Sequence, residues 1–364
     1  MVESRKDRAR PEAGPGTAEE AARTTEGAVT VLDVLEALDR ITGGRVIKGT
    51  GYVNRCHSPF VVTKSSNIPG KAVTETPGLV FGNPSAPVTK IGVSMTLTES
   101  QLELCCAAGI DAVVCHHPVA DAANSGGVPL KNYLSLYGIS VFELHEAFHG
   151  LHPGLAFIHG HQAFRVDIAY GGVPGNIMNV GRALPEVKTA GDIIRRLDEF
   201  SGIAEEAEIL EAEKRVRGVS DIQETNVSTR PHILNGNESS PVKVILHIYP
   251  HTGFSVAHLE QVLREHPEID TVIASISRVK PDHPLVEAAR EKGLTFICGN
   301  THAMEIFENG LPLAFALSRL LPSVEVFLLR ERVTATPLAR AGNRRIREYA
   351  ADMAERFLLP ERRR

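Results

Sequence analysis

From residue 90 onward the chain alternates short apolar runs with amphipathic stretches at helical spacing, and that alternation leaves few folds open. Lys90 to Met95, Ala112 to Cys115 and Ile139 to Leu144 read as strands, with helices at Thr98 to Ala108 and Leu130 to Tyr137 between them. Connections this short, each carrying a helix, favour a largely parallel sheet. Thr271 to Ser275, a helix at Pro284 to Lys292, Leu294 to Cys298 and Val324 to Leu329 resume the pattern. Between them the character changes: a Gly-rich piece at 170–175, a charged helix at Thr189 to Phe200, an acidic helix near Ala204 to Lys214 and a polar loop around Asn235. The expectation is an α/β fold with a mixed, mostly parallel sheet, helices on both its faces and an inserted second lobe. Residues 29–165 with 270–335 make the first lobe, 166–269 the insert and 336–364 a basic C-terminal helix. Before them, Thr30 caps a helix from Val31 to Ile41 that Gly43-Gly44 ends, and 45–76 gives only a weak strand or loop reading.

A chain of 364 residues, 43% hydrophobic, can bury a large core. The net charge of -5 and the lack of a long basic run argue against a nucleic-acid surface. No window approaches a membrane span, and residues 1–28 have the composition of a disordered tail without a signal-peptide core, so a cytoplasmic protein is expected. Cys56, Cys105, Cys106, Cys115 and Cys298 are odd in number and make no CxxC pair, which supports neither a disulfide framework nor a zinc ribbon. Histidine, at 15, is the unusual count.

Ala112-Val-Val-Cys runs directly into His116-His117-Pro118. Pro118 cannot donate to a ladder, so the strand ends at the histidine pair, on the carboxyl edge where open α/β sheets bind ligands. Adjacent residues of a regular strand point to opposite faces, so one metal takes both rings only where the strand has broken. Two metals, or one metal and a substrate, could use one each. A pair of core histidines is the plain alternative, but burying two rings without partners costs on the order of several kcal/mol.

His145-Glu146-Ala-Phe-His149 follows the next strand and matches the HExxH zinc-peptidase pattern letter for letter. That chemistry needs a long helix. The run before it alternates as a strand, and Gly150 with Pro153 stops any helix within a turn, so His145 and His149 read instead as loop donors beside His116 and His117. Leu294 to Cys298 enters Gly299-Asn-Thr-His302-Ala-Met-Glu305, whose His and Glu are three apart and share a helix face. A carboxylate there could bridge two cations; a surface ion pair is the plain alternative. A helix near Leu155 to Ala163 carries His159 and His161, while His247, His251, His258 and His266 read as solvated or core residues, and Cys115 and Cys298 as small core residues.

Gly78-Leu-Val-Phe-Gly-Asn-Pro, Thr89-Lys-Ile-Gly-Val-Ser-Met-Thr-Leu-Thr, Ala112-Val-Val-Cys-His-His-Pro-Val, Val141-Phe-Glu-Leu-His and Gly299-Asn-Thr-His-Ala-Met-Glu, in this order, resemble the GTP cyclohydrolase I type 2 homologue family of Nif-three-like dinuclear-metal proteins. The resemblance covers roughly 78–165 and 270–330, with a vaguer echo at Gly181-Arg-Ala-Leu-Pro. It implies a two-lobed α/β fold, toroidal hexamers with sites facing an internal cavity, and two divalent metals per subunit. The implied ligands are the histidines of the HHP element, an acid in the middle motif and a His/Glu pair near the C-terminus. His116 and His117 match directly, and Glu305 matches the bridging carboxylate. Two places depart. His149 stands where the family's His-Thr-Asn-Leu-Asp motif has its aspartate, and His302 lies one residue closer to the glutamate than the family's histidine, whose place Thr301 takes.

The expected function is that of a dinuclear-metal enzyme, a hydrolase of cyclohydrolase or amidohydrolase type acting on a small molecule, with His116, His117, His149, His302 and Glu305 as ligands and Glu146 or His145 moving protons. An imidazole-rich donor set favours zinc or iron, with manganese compatible, over magnesium. A metal-binding or metal-delivery protein is the alternative, and an HExxH zinc peptidase the third. A homo-oligomer, hexameric by the resemblance, is expected, with neither nucleic acid nor membrane as partner.

Overall fold

The computed structural model describes residues 27–48, 58–65, 72–119, 130–173, 175–275 and 278–359. The expected disordered tail and the closing Glu-Arg-Arg-Arg lie outside these, apart from Gly27 and Ala28. Helix α1 (Val31–Thr42) is fixed at both ends by its own sequence. Thr30 and Asp33 form a reciprocal capping box, and Gly43 ends the helix in the left-handed conformation.

A hairpin of β1 (Val62–Ser65) and β2 (Ala72–Glu75) leads to β3 (Gly78–Phe81), β4 (Lys90–Ser94), α2 (Glu99–Ala108), β5 (Ala112–Cys115), α3 (Leu130–Tyr137) and β6 (Ser140–Glu143). Two short helices, α4 (His145–Phe148) and α5 (Gly154–His159), precede β7 (His161–Asp167), β8 (Met178–Ala183), α6 (Ala190–Phe200) and α7 (Ile203–Arg217). The chain continues through β9 (Gln223–Glu224), β10 (His232–Asn235), β11 (Val244–Ile248), α8 (Val256–Glu265), β12 (Thr271–Ala274), α9 (Pro284–Glu291) and β13 (Thr295–Cys298). It ends with α10 (Leu311–Leu320), β14 (Glu325–Leu329), β15 (Thr334–Ala335) and α11 (Arg344–Met353).

The first sheet has the order β14-β4-β5-β6-β3, parallel except for β3 at its edge. α1 and α10 cover one face, with Leu38, Leu313 and Leu317 against Ile91, Val93 and Val114. α2 and α3 cover the other, with Leu102, Cys105 and Leu134 against Val113, Cys115 and Val141. Alternate residues of β5 therefore meet different helix layers, which is why Ala-Val-Val-Cys holds no polar residue.

The second sheet has the order β10-β13-β12-β11-β8-β7, with β11, β12 and β13 parallel and the outer strands antiparallel. Its two faces pack on α8 with α9, through Leu259 and Leu285, and on α5 with α6, through Ile158 and Ile193. The two-lobed α/β expectation holds, but the division at 166–269 is corrected. β12 and β13, expected in the first lobe, pair in the second sheet, and so does β7, which begins at His161. An apolar run identifies a buried strand without saying which sheet it joins; the partner is decided by contacts far along the chain.

Two local expectations also change. The helix expected at Leu155 to Ala163 stops at His159 because Gly160, at φ 87, takes the left-handed conformation, and His161 then opens β7. The C-terminal helix, expected from Leu338, is broken at Gly342 (φ 66) and restarts at Arg344 under an Asn343 cap.

Candidate metal centre

β5 ends at Cys115, and the chain bends at His116 and His117 while their N–H groups still donate to Ser94 and Met95 carbonyls. The bend removes the alternation that would have pointed the rings apart. Their centroids lie 5.4 Å apart, His116 buried against Phe148 and His117 at the edge of solvent.

Three donor groups meet here, one of them Glu75, His145 and Glu146, and His116 takes part in the other two. Ring nitrogens of His116, His145 and His149 lie within 4.8 Å of one another, and so do donor atoms of His116, His117 and Glu305. Neither ring nitrogen of His116 has a hydrogen-bond partner among the described residues, although the ring is 1% exposed. An unpaired buried polar atom costs on the order of 1–3 kcal/mol; a cation at one ring nitrogen would relieve that atom, and cations at both would need His116 to bind as imidazolate, its N–H proton passing to solvent. The donor set, rich in imidazole, fits a divalent metal ion.

His145 opens α4, a single turn that His149 ends in extended geometry (φ -58, ψ 137). The long helix of an HExxH peptidase is therefore absent at this motif, and its two histidines converge on His116 instead. Glu146 Oε atoms lie 3.5 Å from His145 Nδ1 and 3.6 Å from His149 Nδ1. His302 and Glu305 flank a 3₁₀ turn, after which a π turn, Ile306–Gly310, leads into α10; such wide turns recur at functional sites. Glu305 Oε2 is 3.2 Å from His117 Nε2 and 3.0 Å from His302 Nε2. The structure brings His116, His117, His149 and Glu305 into these donor groups, while half-exposed His302 stays outside them and His145, expected to move protons, lies inside one.

Electrostatics follows from this packing. Burial opposes charge on Glu305, but the contact with His117 and the charges of His117, His302 and His145 outweigh it and hold the carboxyl below its ordinary value. Burial, then the surrounding imidazoles, keeps His116 neutral well below the usual histidine range, the form that ligates. Burial and repulsion from Glu305 push Glu308 up to about 8.

Sequence reasoning missed four contributors. Glu75, at the end of β2, is buried and hydrogen-bonds His145 Nδ1 at 2.9 Å; its segment gave no pattern to read. Thr96 Oγ1 lies 2.8 Å from His117 Nδ1 and fixes which nitrogen faces the centre, a role no motif announces. Tyr249 and His251 come from the second lobe. Burial, then Glu308 and Glu305, pushes the Tyr249 phenol well up, and burial, then His302, pushes His251 down. Gly299 is also explained: a Cβ there would sit 2.7 Å from Ile273 and 2.9 Å from Ser275 Oγ, so only glycine lets β13 pass into the His302 turn.

Residues 61–123, which include β4, β5 and the histidine pair, match the model of the Duf34/NIF3 (NGG1p interacting factor 3) family. That stretch is what the chain has in common with the family. No curated protein matches it. Among solved structures it is similar to a Bacillus cereus protein related to NIF3, at 10% identity over 84% of this chain and 98% of that one, with a TM-score of 0.47. It is also similar to reduced HcgD from Methanocaldococcus jannaschii, at 15% identity over 70% and 89%, TM-score 0.46. A NIF3 superfamily protein from Sphaerobacter thermophilus shares 12% identity over 83% and 98%, TM-score 0.42. No residue role in this chain is taken from them.

Proposed function

We propose that the chain is a dinuclear-metal hydrolase of cyclohydrolase or amidohydrolase type acting on a small molecule. The observation that carries this reading is His116, buried with two unpartnered nitrogens and shared by two donor groups. His116, His145 and His149 would hold one ion, and His116, His117 and Glu305 the other, with His302 beside Glu305 at the exposed side. Such ions, when bound, supply Lewis-acid polarisation and a water acidified towards neutral pH. The rest falls to the chain. Thr96 and Glu75 orient His117 and His145, and a depressed pKa keeps Glu305 ionised without a positive ion present. Glu146, partly exposed and near both His145 and His149, would carry protons between substrate and solvent.

Protein loaded with zinc or with iron(II) is to be tested against cyclic amides and purine-type heterocycles. Ring opening that stops on chelation and falls at least about a hundredfold in Glu146→Gln, with metal content kept, supports the reading. Full metal binding with no turnover, and ready transfer of the ion to a competing chelator, would make the chain a metal-delivery protein instead.

A further inference from the structure

We infer that α11 with the turn that follows it docks on α7 of a second copy of this chain, reciprocally. Among the described residues α11 buries no side chain. Ile346, Tyr349 and Phe357 are 50%, 59% and 59% exposed, although Ile346, Ala350, Met353 and Phe357 fall at i, i+4, i+7 and i+11, the apolar stripe of a helix made to be covered. α7 carries the matching surface. Ile209 and Val216 are 50% and 89% exposed, and a shallow groove along the helix is lined by Glu208, Ile209, Glu211, Ala212 and Arg215. Glu205, Ile209, Ala212 and Val216 repeat the same spacing, so laying the helices parallel sets Ala350 against Ile209, Met353 against Ala212 and Phe357 against Val216, small opposite large where it matters.

Charge chooses the partner and the direction. α11 begins basic, with Arg344, Arg345 and Arg347, and turns acidic at Asp352 and Glu355. α7 does the reverse, beginning with Glu205, Glu208 and Glu211 and ending with Lys214, Arg215 and Arg217. Only the parallel arrangement sets unlike charges together at both ends. Residues 344–364 carry seven arginines against four carboxylates, a net charge an anionic membrane would also attract, but the carboxylates of Asp352 and Glu355 are met by unlike charge on α7 and not by anionic lipid. The inner side of α7 is already taken by Arg330 and Arg332, which pair with Glu206 and Glu213, so the exposed stripe is the side left for a partner. Exchange of α11 between two copies makes a closed two-fold contact.

The test is sedimentation equilibrium of the full chain, of Arg345→Glu/Arg347→Glu, of Glu205→Lys/Glu208→Lys, and of an equal mixture of the two variants. The parent chain should associate, each variant alone should lose about tenfold or more in association constant, and the mixture should recover it, because each copy then offers its partner an unlike helix. A monomeric parent, variants that associate as the parent does, or a mixture that does not recover would each overturn the inference. Pairing of the two helices within one chain, or binding of the parent to anionic vesicles without self-association, gives the first of these outcomes.

Discussion

His116 and His117 are consecutive in the chain, yet both bring a ring nitrogen within 4.8 Å of Glu305. A regular strand would have pointed them to opposite faces; the bend after Cys115 is what makes them one half of a centre. Everything else at the site is arranged around that bend.

Thr96 holds His117 by its far nitrogen, at 2.8 Å. Thr96→Val removes that contact with little change of volume, so the fold should survive while metal affinity drops about ten- to a hundredfold. Competition against a chelator of known affinity measures this. An unchanged affinity would leave Thr96 without the orienting role.

Glu308 should weaken the metal-free protein as pH rises. Its carboxyl has an ordinary value of 4.5 and is pushed to about 8 in the fold, so over that interval the unfolded chain has given up a proton the folded one keeps, and stability is lost as pH climbs. Glu308→Gln, which does not titrate and can still accept from the Leu155 N–H, should stabilise the metal-free protein at about pH 8 and much less at about pH 4.5. Urea unfolding at the two pH values reads the difference; equal effects at both would contradict it.

The second lobe contains a separate buried trio, His159, His161 and His247, whose ring centroids are 4.5–6.1 Å apart. Burial pushes His159 down to about 4 and His161, with help from His159, to about 3. Unfolded, each would take a proton near 6.5, so the stability they contribute is present above about pH 6.5 and is lost as pH falls towards 4, on the order of 3 kcal/mol for His159 alone. Amide exchange in β7 and β11 of the metal-free protein should quicken between pH 6.5 and 4.5 after correction for intrinsic rates, and less so in His159→Asn. Protection that stays level through that range would contradict it.

Much of this was legible because the constraints are local. Ala112 to Cys115 must be a strand buried on both faces, Thr30 and Gly43 delimit α1 by their own chemistry, and the gathering of His116, His117, His145 and His149 follows once β5 and β6 end at one edge, whereas His302 and Glu305 reach it from β13 of the other sheet. What was not legible depends on partners distant in sequence. β12 and β13 read correctly as strands but joined the other sheet, since nothing in Thr-Val-Ile-Ala or Thr-Phe-Ile-Cys names a neighbour. Glu75 and Thr96 are ordinary residues made functional by where His145 and His117 come to rest. His145, expected to move protons, lies in a donor group with His116 and His149, a neighbourhood that only the folded distances reveal.

The central claim is a two-ion centre whose donor groups share His116. Metal content measured by mass spectrometry after loading and gel filtration tests it in one experiment. About two equivalents per chain are expected in the parent, about one in His117→Ala and in His149→Ala, and close to none in His116→Ala, with the folded far-UV spectrum kept in all four. About one equivalent in the parent, unchanged by His117→Ala, would contradict it.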